Sequence, residues 1–171
     1  MSVSRTLRLT ILSLMLGCTI GCDQTTKYLA RAQLGQQNSI VLPVGLGELR
    51  LAQNPGSFLS LGASFPQPLR FAFLTVGVAL GLLLLLVWLV ELARKSWLSF
   101  LGLALVMAGG VSNLIDRVTQ QGLVTDFIFV RIGPVHTGIL NLADSMIMTG
   151  ITVLTCALWK QRYRLPISTS G

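Results

Sequence analysis

Residues 71–90 read FAFLTVGVALGLLLLLVWLV, an uncharged apolar run bracketed by Arg70 and Glu91. A helix needs roughly 20 apolar residues to cross the hydrocarbon core of a bilayer, so this stretch predicts a transmembrane helix. A short loop at 91–96 with Arg94 and Lys95 follows. A second apolar run, 97–115, then returns to the first side and ends on Asn113-Leu114-Ile115-Asp116-Arg117. A third run, 139–159, carries Asn141-Leu142-Ala143-Asp144 near its start and is followed by Lys160, Arg162 and Arg164. Near the N-terminus, Arg5 and Arg8 precede a shorter run, read as a span over 9–26. Its basic start and short apolar core also describe a signal peptide, and Thr19-Ile20-Gly21-Cys22 loosely matches a lipobox.

Composition agrees with a membrane protein. Of 171 residues, 52% are hydrophobic and 11% charged, and the mean hydropathy is +0.71. That is too apolar for an ordinary soluble domain. The net charge of +7 would suggest nucleic acid in a soluble chain, but here the basic residues flank apolar runs, so no nucleic-acid partner is expected. Three cysteines inside apolar segments and a lone histidine, His136, give neither a disulfide framework nor a metal site, and no cofactor is expected. The basic residues beside span ends place both termini and the loop 91–96 in the cytoplasm, with 27–70 and 116–138 outside.

The expected fold is a single integral-membrane domain over 1–171: an all-α bundle of four transmembrane helices with a small β-rich periplasmic segment between the first and second. Turn signals at Gly35, Pro43, Asn54-Pro55-Gly56 and Pro66-Gln67-Pro68 separate short strands at 40–42 and 48–51. The piece 117–138 reads as a loop with one strand or short helix.

Five of the six acidic residues fall on the outer side, and two of them, Asp116 and Asp144, are preceded at three residues by Asn113 and Asn141. On antiparallel neighbouring helices both carboxylates would reach one depth, Asp144 about one and a half turns inside its span. Each Asn amide would lie a turn away, able to hold a carboxylate or a substrate carbonyl. An ionisable group in a membrane segment is costly and marks function by default. Two carboxylates in a partly dry site share a proton, and can then activate water and polarise a peptide carbonyl, the acid–base logic of aspartic proteases. From spacing alone, structural pairing or helix capping fits equally well. Proton or cation binding in a small transporter is a rival reading, against which stand acids near the outer surface rather than midway and a large polar outer segment.

Five motifs in order give the chain a family resemblance. Asp23-Gln24-Thr25-Thr26-Lys27, Asn54-Pro55-Gly56, Gly109-Gly110 with Asn113-Leu114-Ile115-Asp116-Arg117, Val124-Thr125-Asp126-Phe127, and Asn141-Leu142-Ala143-Asp144-Ser145 resemble those of lipoprotein signal peptidase (signal peptidase II), a bacterial inner-membrane aspartic protease. The resemblance implies that Asp116 and Asp144 form the catalytic dyad and cleave diacylglyceryl-modified prolipoproteins before the lipidated cysteine. Asn54, Asn113, Arg117 and Asn141 would shape the substrate pocket, with Gly56, Ala143 and Asp126 in the same motifs, and Asp23 with Lys27 would support its outer rim. Partners are then these substrates and membrane lipid. The chain departs from the family pattern at Phe58, Leu59, Ser112 and Leu140, which bears on substrate fit rather than reaction type.

Other features have simpler explanations. Trp88, Trp97 and Trp159 stand near span ends, where aromatic rings favour the interface. Gly17-x-x-x-Gly21 and Gly77-x-x-x-Gly81 are read as incidental, and His136 as a loop residue. A Ser57/Lys27 nucleophile–base pair lacks any spacing that would fix its geometry.

Overall fold

The computed structural model describes residues 5–35, 39–43, 46–57, 60–92, 96–132 and 134–162. Phe58, Leu59, Arg94, Lys95 and Arg164 lie outside them. The elements run α1 (Arg5–Gln33), β1 (Ser39–Val41), β2 (Gly47–Asn54), α2 (Gln67–Arg70), a π-helical stretch Phe71–Gly77, α3 (Val78–Leu92), α4 (Trp97–Thr119), β3 (Val124–Ile132), β4 (Val135–Leu140) and α5 (Leu142–Arg162). Among the described residues four helical segments are long and apolar enough to cross a membrane: Thr6–Gln33, Gln67–Leu89, Trp97–Thr119 and Leu142–Lys160.

The bundle is organised around α4, the most buried of the four, which packs on α1, α3 and α5. Between α4 and α5 the backbones approach closely because small residues face each other. A Cβ built on Gly102 would stand 2.8 Å from the Gly150 carbonyl oxygen, and one on Gly150 2.6 Å from that of Gly102. Gly109 meets the Ala143 carbonyl in the same way. In a membrane, where apolar side chains gain little by leaving lipid, such close packing is a main source of helix association. Gly17, Gly21 and Gly81, by contrast, have open space where a side chain would stand. Leu12, Leu89, Phe100, Leu103 and Ala104 tie α1 and α3 onto α4 at the end of the bundle away from the strands.

The strands form one antiparallel sheet in the order β1-β2-β3-β4. Half of it comes from the segment after α4, so it is not confined to the connection between the first and second spans. Residues 117–138 hold two strands rather than one element. Ala30 and Leu34 at the end of α1 pack on Phe127, Leu49, Leu51 and Ile128 and fix the sheet to the bundle.

Helix ends differ from expectation for physical reasons. The first helix runs on to Gln33 because Asp23 and Lys27 do not end it: at i,i+4 they pair with each other at 2.7 Å, turned inward and fully buried. The third continues through Asp116 and Arg117 to Thr119. The second begins at Gln67, with Pro68 in the first turn, where its missing N–H costs nothing. The last starts at Leu142, and Ile139 and Leu140 belong to β4. Asn141 stops the strand and caps the helix. Its Oδ1 accepts from Asp144 N at 2.8 Å, and Asp144 Oδ2 accepts from Asn141 N at 3.2 Å, a reciprocal capping box. Asp144 is thus in the first turn of α5 rather than a turn and a half inside the span.

Candidate active site

Where the sheet meets the bundle, a cavity of about 360 Å³ opens between α3, α4 and α5. Its long wall is apolar, made by Val78, Gly110, Ile147, Met148 and Ile151, and its other end is polar, made by Asn54, Asn113, Arg117, Asp126 and Asp144. That division suits a ligand with an apolar body and one polar linkage to be recognised.

Asp126 and Asp144 are both buried, and amides hold both. Asp126 accepts from Asn54 Nδ2 at 2.9 Å and from Asn141 Nδ2 at 2.7 Å. Asp144 accepts from Asn113 Nδ2 at 2.9 Å, besides the capping bond from Asn141 N. The two Asn-x-x-Asp steps therefore cross over: Asn113 serves Asp144, and Asn141 serves Asp126 as well as Asp144. Burial pushes the Asp126 carboxyl up from 3.8 to about 6, and repulsion from Asp144 adds to this. The hydrogen bonds from Asn54 and Asn141 and the charge on Lys27 pull the other way.

The Asn-x-Gly spacing has a clear basis. Asn54 Oδ1 accepts from Gly56 N at 2.9 Å, which turns the amide nitrogen toward Asp126. At Gly56 a Cβ would lie 2.6–2.7 Å from the backbone of Ser60 and Leu61, so only glycine fits. Arg117 donates from Nη2 to the Gly56 carbonyl at 3.0 Å and from Nη1 to the Asn113 carbonyl at 3.4 Å. Its Nε is buried without a partner among the described residues, a donor left for a ligand in the cavity.

Asp116 is placed differently. It does not line the cavity, and its acceptors are engaged by Lys27 Nζ at 3.2 Å, Thr125 N at 2.9 Å and Gln24 Nε2 at 3.1 Å. Lys27 also bonds Asn113 Oδ1 at 2.9 Å and Asp23 at 2.7 Å. Asp23 in turn accepts from Ser112 Oγ and from Ala143 N, both at 2.7 Å. Asp23 and Lys27 are therefore not at an outer rim; with Asp116 they form a buried ionic brace joining α1, α4 and the start of α5. All three N–H donors of Lys27 Nζ are used and none faces Ser57, which removes the Ser57/Lys27 pair. Ala143 is small because Gly109 presses on it, and its N–H anchors the turn that carries Asp144.

Gln24, Ser112 and Thr125 belong to this brace, and sequence reasoning missed all three. Gln24 sits inside the first motif, but nothing in its spacing says that it reaches α4. Ser112 reads in the sequence only as a departure from the family pattern, yet its hydroxyl also accepts from Gln24 Nε2 at 2.9 Å. Leu140, a second departure, is buried at the end of β4 beside Asn141.

The fold and site define a multi-span membrane protein with two amide-held carboxylates at the polar end of an otherwise apolar cavity. A family model described as signal peptidase (SPase) II matches residues 15–160. A lipoprotein signal peptidase of Desulforapulum autotrophicum is 38% identical over 137 residues, covering 78% of this chain and 82% of the relative. One from Geobacter sulfurreducens is 34% identical over 142 residues, covering 83% and 87%. A solved bacterial membrane enzyme superposes with a TM-score of 0.82 over 95% of each chain, at 23% identity, which speaks for the fold. The chain belongs to the signal peptidase II family and is a bacterial membrane peptidase. This kinship gives no support to the transporter reading of the same carboxylates.

Proposed function

We propose that the protein is an aspartic endopeptidase that removes signal peptides from diacylglyceryl-modified prolipoproteins, cutting before the lipidated cysteine, and that Asp126 and Asp144 are its acid–base pair. The observation that carries the assignment is that these two carboxylates, and not Asp116, line the cavity and are held by amides rather than by a cation. Asp116 has its acceptors committed to Lys27, Gln24 and Thr125. It acts as a structural member, in place of the catalytic role expected from its motif.

The pair holds one proton between its two carboxyl groups; we assign it to Asp126, whose carboxyl is pushed up to about 6, and the base role to Asp144. Asp144 takes a proton from water as the oxygen attacks the scissile carbonyl, and Asp126 donates its proton to the carbonyl oxygen. As the tetrahedral gem-diol collapses, one of its hydroxyls returns a proton to Asp126 and the C–N bond breaks, the leaving amine taking up the proton held by Asp144, so that both carboxyl groups regain their starting states. Asn54 and Asn113 fix the two carboxyl groups in place, and Arg117 Nε is free to hold a substrate carbonyl. The apolar wall from Val78 to Ile151 receives the signal-peptide helix or an acyl chain. The sheet end of the bundle faces the periplasm on this reading, because Arg8, Lys160 and Arg162 stand at the other end.

The test is cleavage of a diacylglyceryl-modified prolipoprotein by the purified, detergent-solubilised protein, read as a mobility shift. Asp126→Asn and Asp144→Asn should each lower turnover by about a thousandfold or more, the scale on which paired catalytic groups act. Asp116→Asn should lose thermal stability while its folded fraction still cleaves with the wild-type pH profile. Loss of activity in Asp116→Asn at unchanged stability, with activity kept in Asp126→Asn, would restore the Asp116/Asp144 assignment.

A further inference from the structure

The end of the sheet away from the cavity carries a second cluster that the peptidase chemistry does not use. At that end Gly47 pairs with Val130, whereas Asn54 pairs with Val124 at the catalytic end. The Arg50 guanidinium lies 4.4 Å from the centroid of the buried Phe129 ring, that of Arg131 5.8 Å from it, and the His136 ring 5.6 Å from it. Gathering two guanidinium groups on one ring is costly unless something neutralises them, although the negative ring face offsets part of the repulsion. Glu48 pairs with Arg50 at 3.0 Å. Among the described residues no carboxylate reaches Arg131. Arg50 Nε is buried without a hydrogen-bond partner among the described residues. A cavity of about 260 Å³, bounded by Val41, Gly47, Glu48, Phe129 and Arg131, adjoins the cluster on the Phe129 and Arg131 side.

We propose that this cluster binds the phosphate of an anionic phospholipid headgroup through Arg50 and Arg131. The net positive charge and the unused guanidinium donors call for an oxyanion, and Arg matches phosphate with paired hydrogen bonds. The choice of lipid over a soluble anion or an acidic peptide comes from the surroundings. The exposed Val41 lines the cavity; the exposed Leu46 directly precedes Gly47 and accepts through its carbonyl from Arg131 N at 2.9 Å, and the exposed Val135 precedes His136, which pairs with Arg131 across the β3–β4 ladder. Aliphatic side chains interleaved with arginines are the composition of a surface that settles into the headgroup layer. The sheet is joined directly to the ends of membrane-length helices, so that layer is within reach. A lipid held there would keep the sheet, and with it Asn54 and Asp126 at its other end, seated against the bilayer.

Native mass spectrometry of the full chain in detergent tests this, with phosphatidylglycerol, phosphatidylcholine of the same chains and inorganic phosphate as probes. The wild type should retain phosphatidylglycerol in preference to phosphatidylcholine. Arg50→Gln with Arg131→Gln should weaken phosphatidylglycerol binding about thirtyfold, each arginine supplying roughly fivefold. The double Lys variant should keep most of the binding through its charge, and Arg162→Gln, at the far end of α5, should leave it unchanged. Equal retention of the two lipids, or undiminished binding by the double Gln variant, overturns the proposal. So does displacement of the lipid by millimolar inorganic phosphate, which would make this a free-anion site, or by a glutamate-rich peptide, which would make it a protein site.

Discussion

Replacing Asp126 by Asn separates catalysis from stability. The carboxyl titrates at about 6 in the folded protein against 3.8 for the unperturbed group. Keeping it ionised near pH 7 therefore costs the fold about 3 kcal/mol, at roughly 1.4 kcal/mol for each pH unit between the two values. Because the folded value is raised, the protonated form is the one the fold prefers. The stabilisation is full below about pH 4 and is lost as pH rises through 6. Asn removes the charge and that cost, but introduces an NH2 where both neighbours donate. Asn54 Nδ2 and Asn141 Nδ2 each point at an Asp126 oxygen, so one of these bonds must be given up, at about 1–3 kcal/mol. The two effects oppose each other. The stability of Asp126→Asn should therefore lie within about 2 kcal/mol of wild type at pH 7, with no measurable turnover. Thermal unfolding of the detergent-solubilised protein from pH 4.5 to 8 reads the outcome. Wild type should gain stability as pH falls through 6, and the variant should lose that dependence. An unchanged pH slope in the variant would refute the raised carboxyl, and with it the role of Asp126 as the proton-bearing member.

Wild-type kcat/KM should fall as pH rises through about 6, because the shared proton is then lost; a flat profile from pH 5 to 8 would count against the pair. Lys27→Met leaves Asp23 and Asp116 buried without their cation, and should cost about 3–5 kcal/mol, seen as poor recovery of folded protein. Gly109→Ala forces a methyl against the Ala143 carbonyl and should lower stability by about 1–3 kcal/mol. Gly81→Ala, with open space around it, should be neutral or slightly stabilising in the same unfolding assay. Arg117→Lys gives up the planar fork that bonds Gly56 and leaves Nε for a ligand, and should raise KM about tenfold with a smaller change in kcat.

Much of the architecture is legible in local pattern. Apolar runs of bilayer length mark the spans, because the length of such a run is fixed by bilayer thickness and by nothing elsewhere in the chain. Turn residues around Gly35, Pro43 and Asn54 mark the first strands. The motif spacings mark which residues matter, and their order points to the family. What each motif does is less accessible. Asp116 and Asp126 are both acids in ordered motifs, and spacing favours Asp116 because it repeats the Asn-x-x-Asp step of Asp144.

Their roles are decided by contacts 9 to 92 positions apart in the chain. Lys27 and Gln24 from α1 reach across to Asp116 and tie up its oxygens. The β2–β3 pairing brings Asn54 to Asp126, and the cap on α5 turns Asn141 toward the same carboxyl. The sequence by itself determined that this is a four-span membrane protein with acids and amides set in ordered motifs beside its spans, since run length, polarity and motif spacing are local properties. Only the tertiary structure decided which two carboxylates meet in the cavity, because a carboxylate's charge state and access depend on which donors and cations the fold places around it.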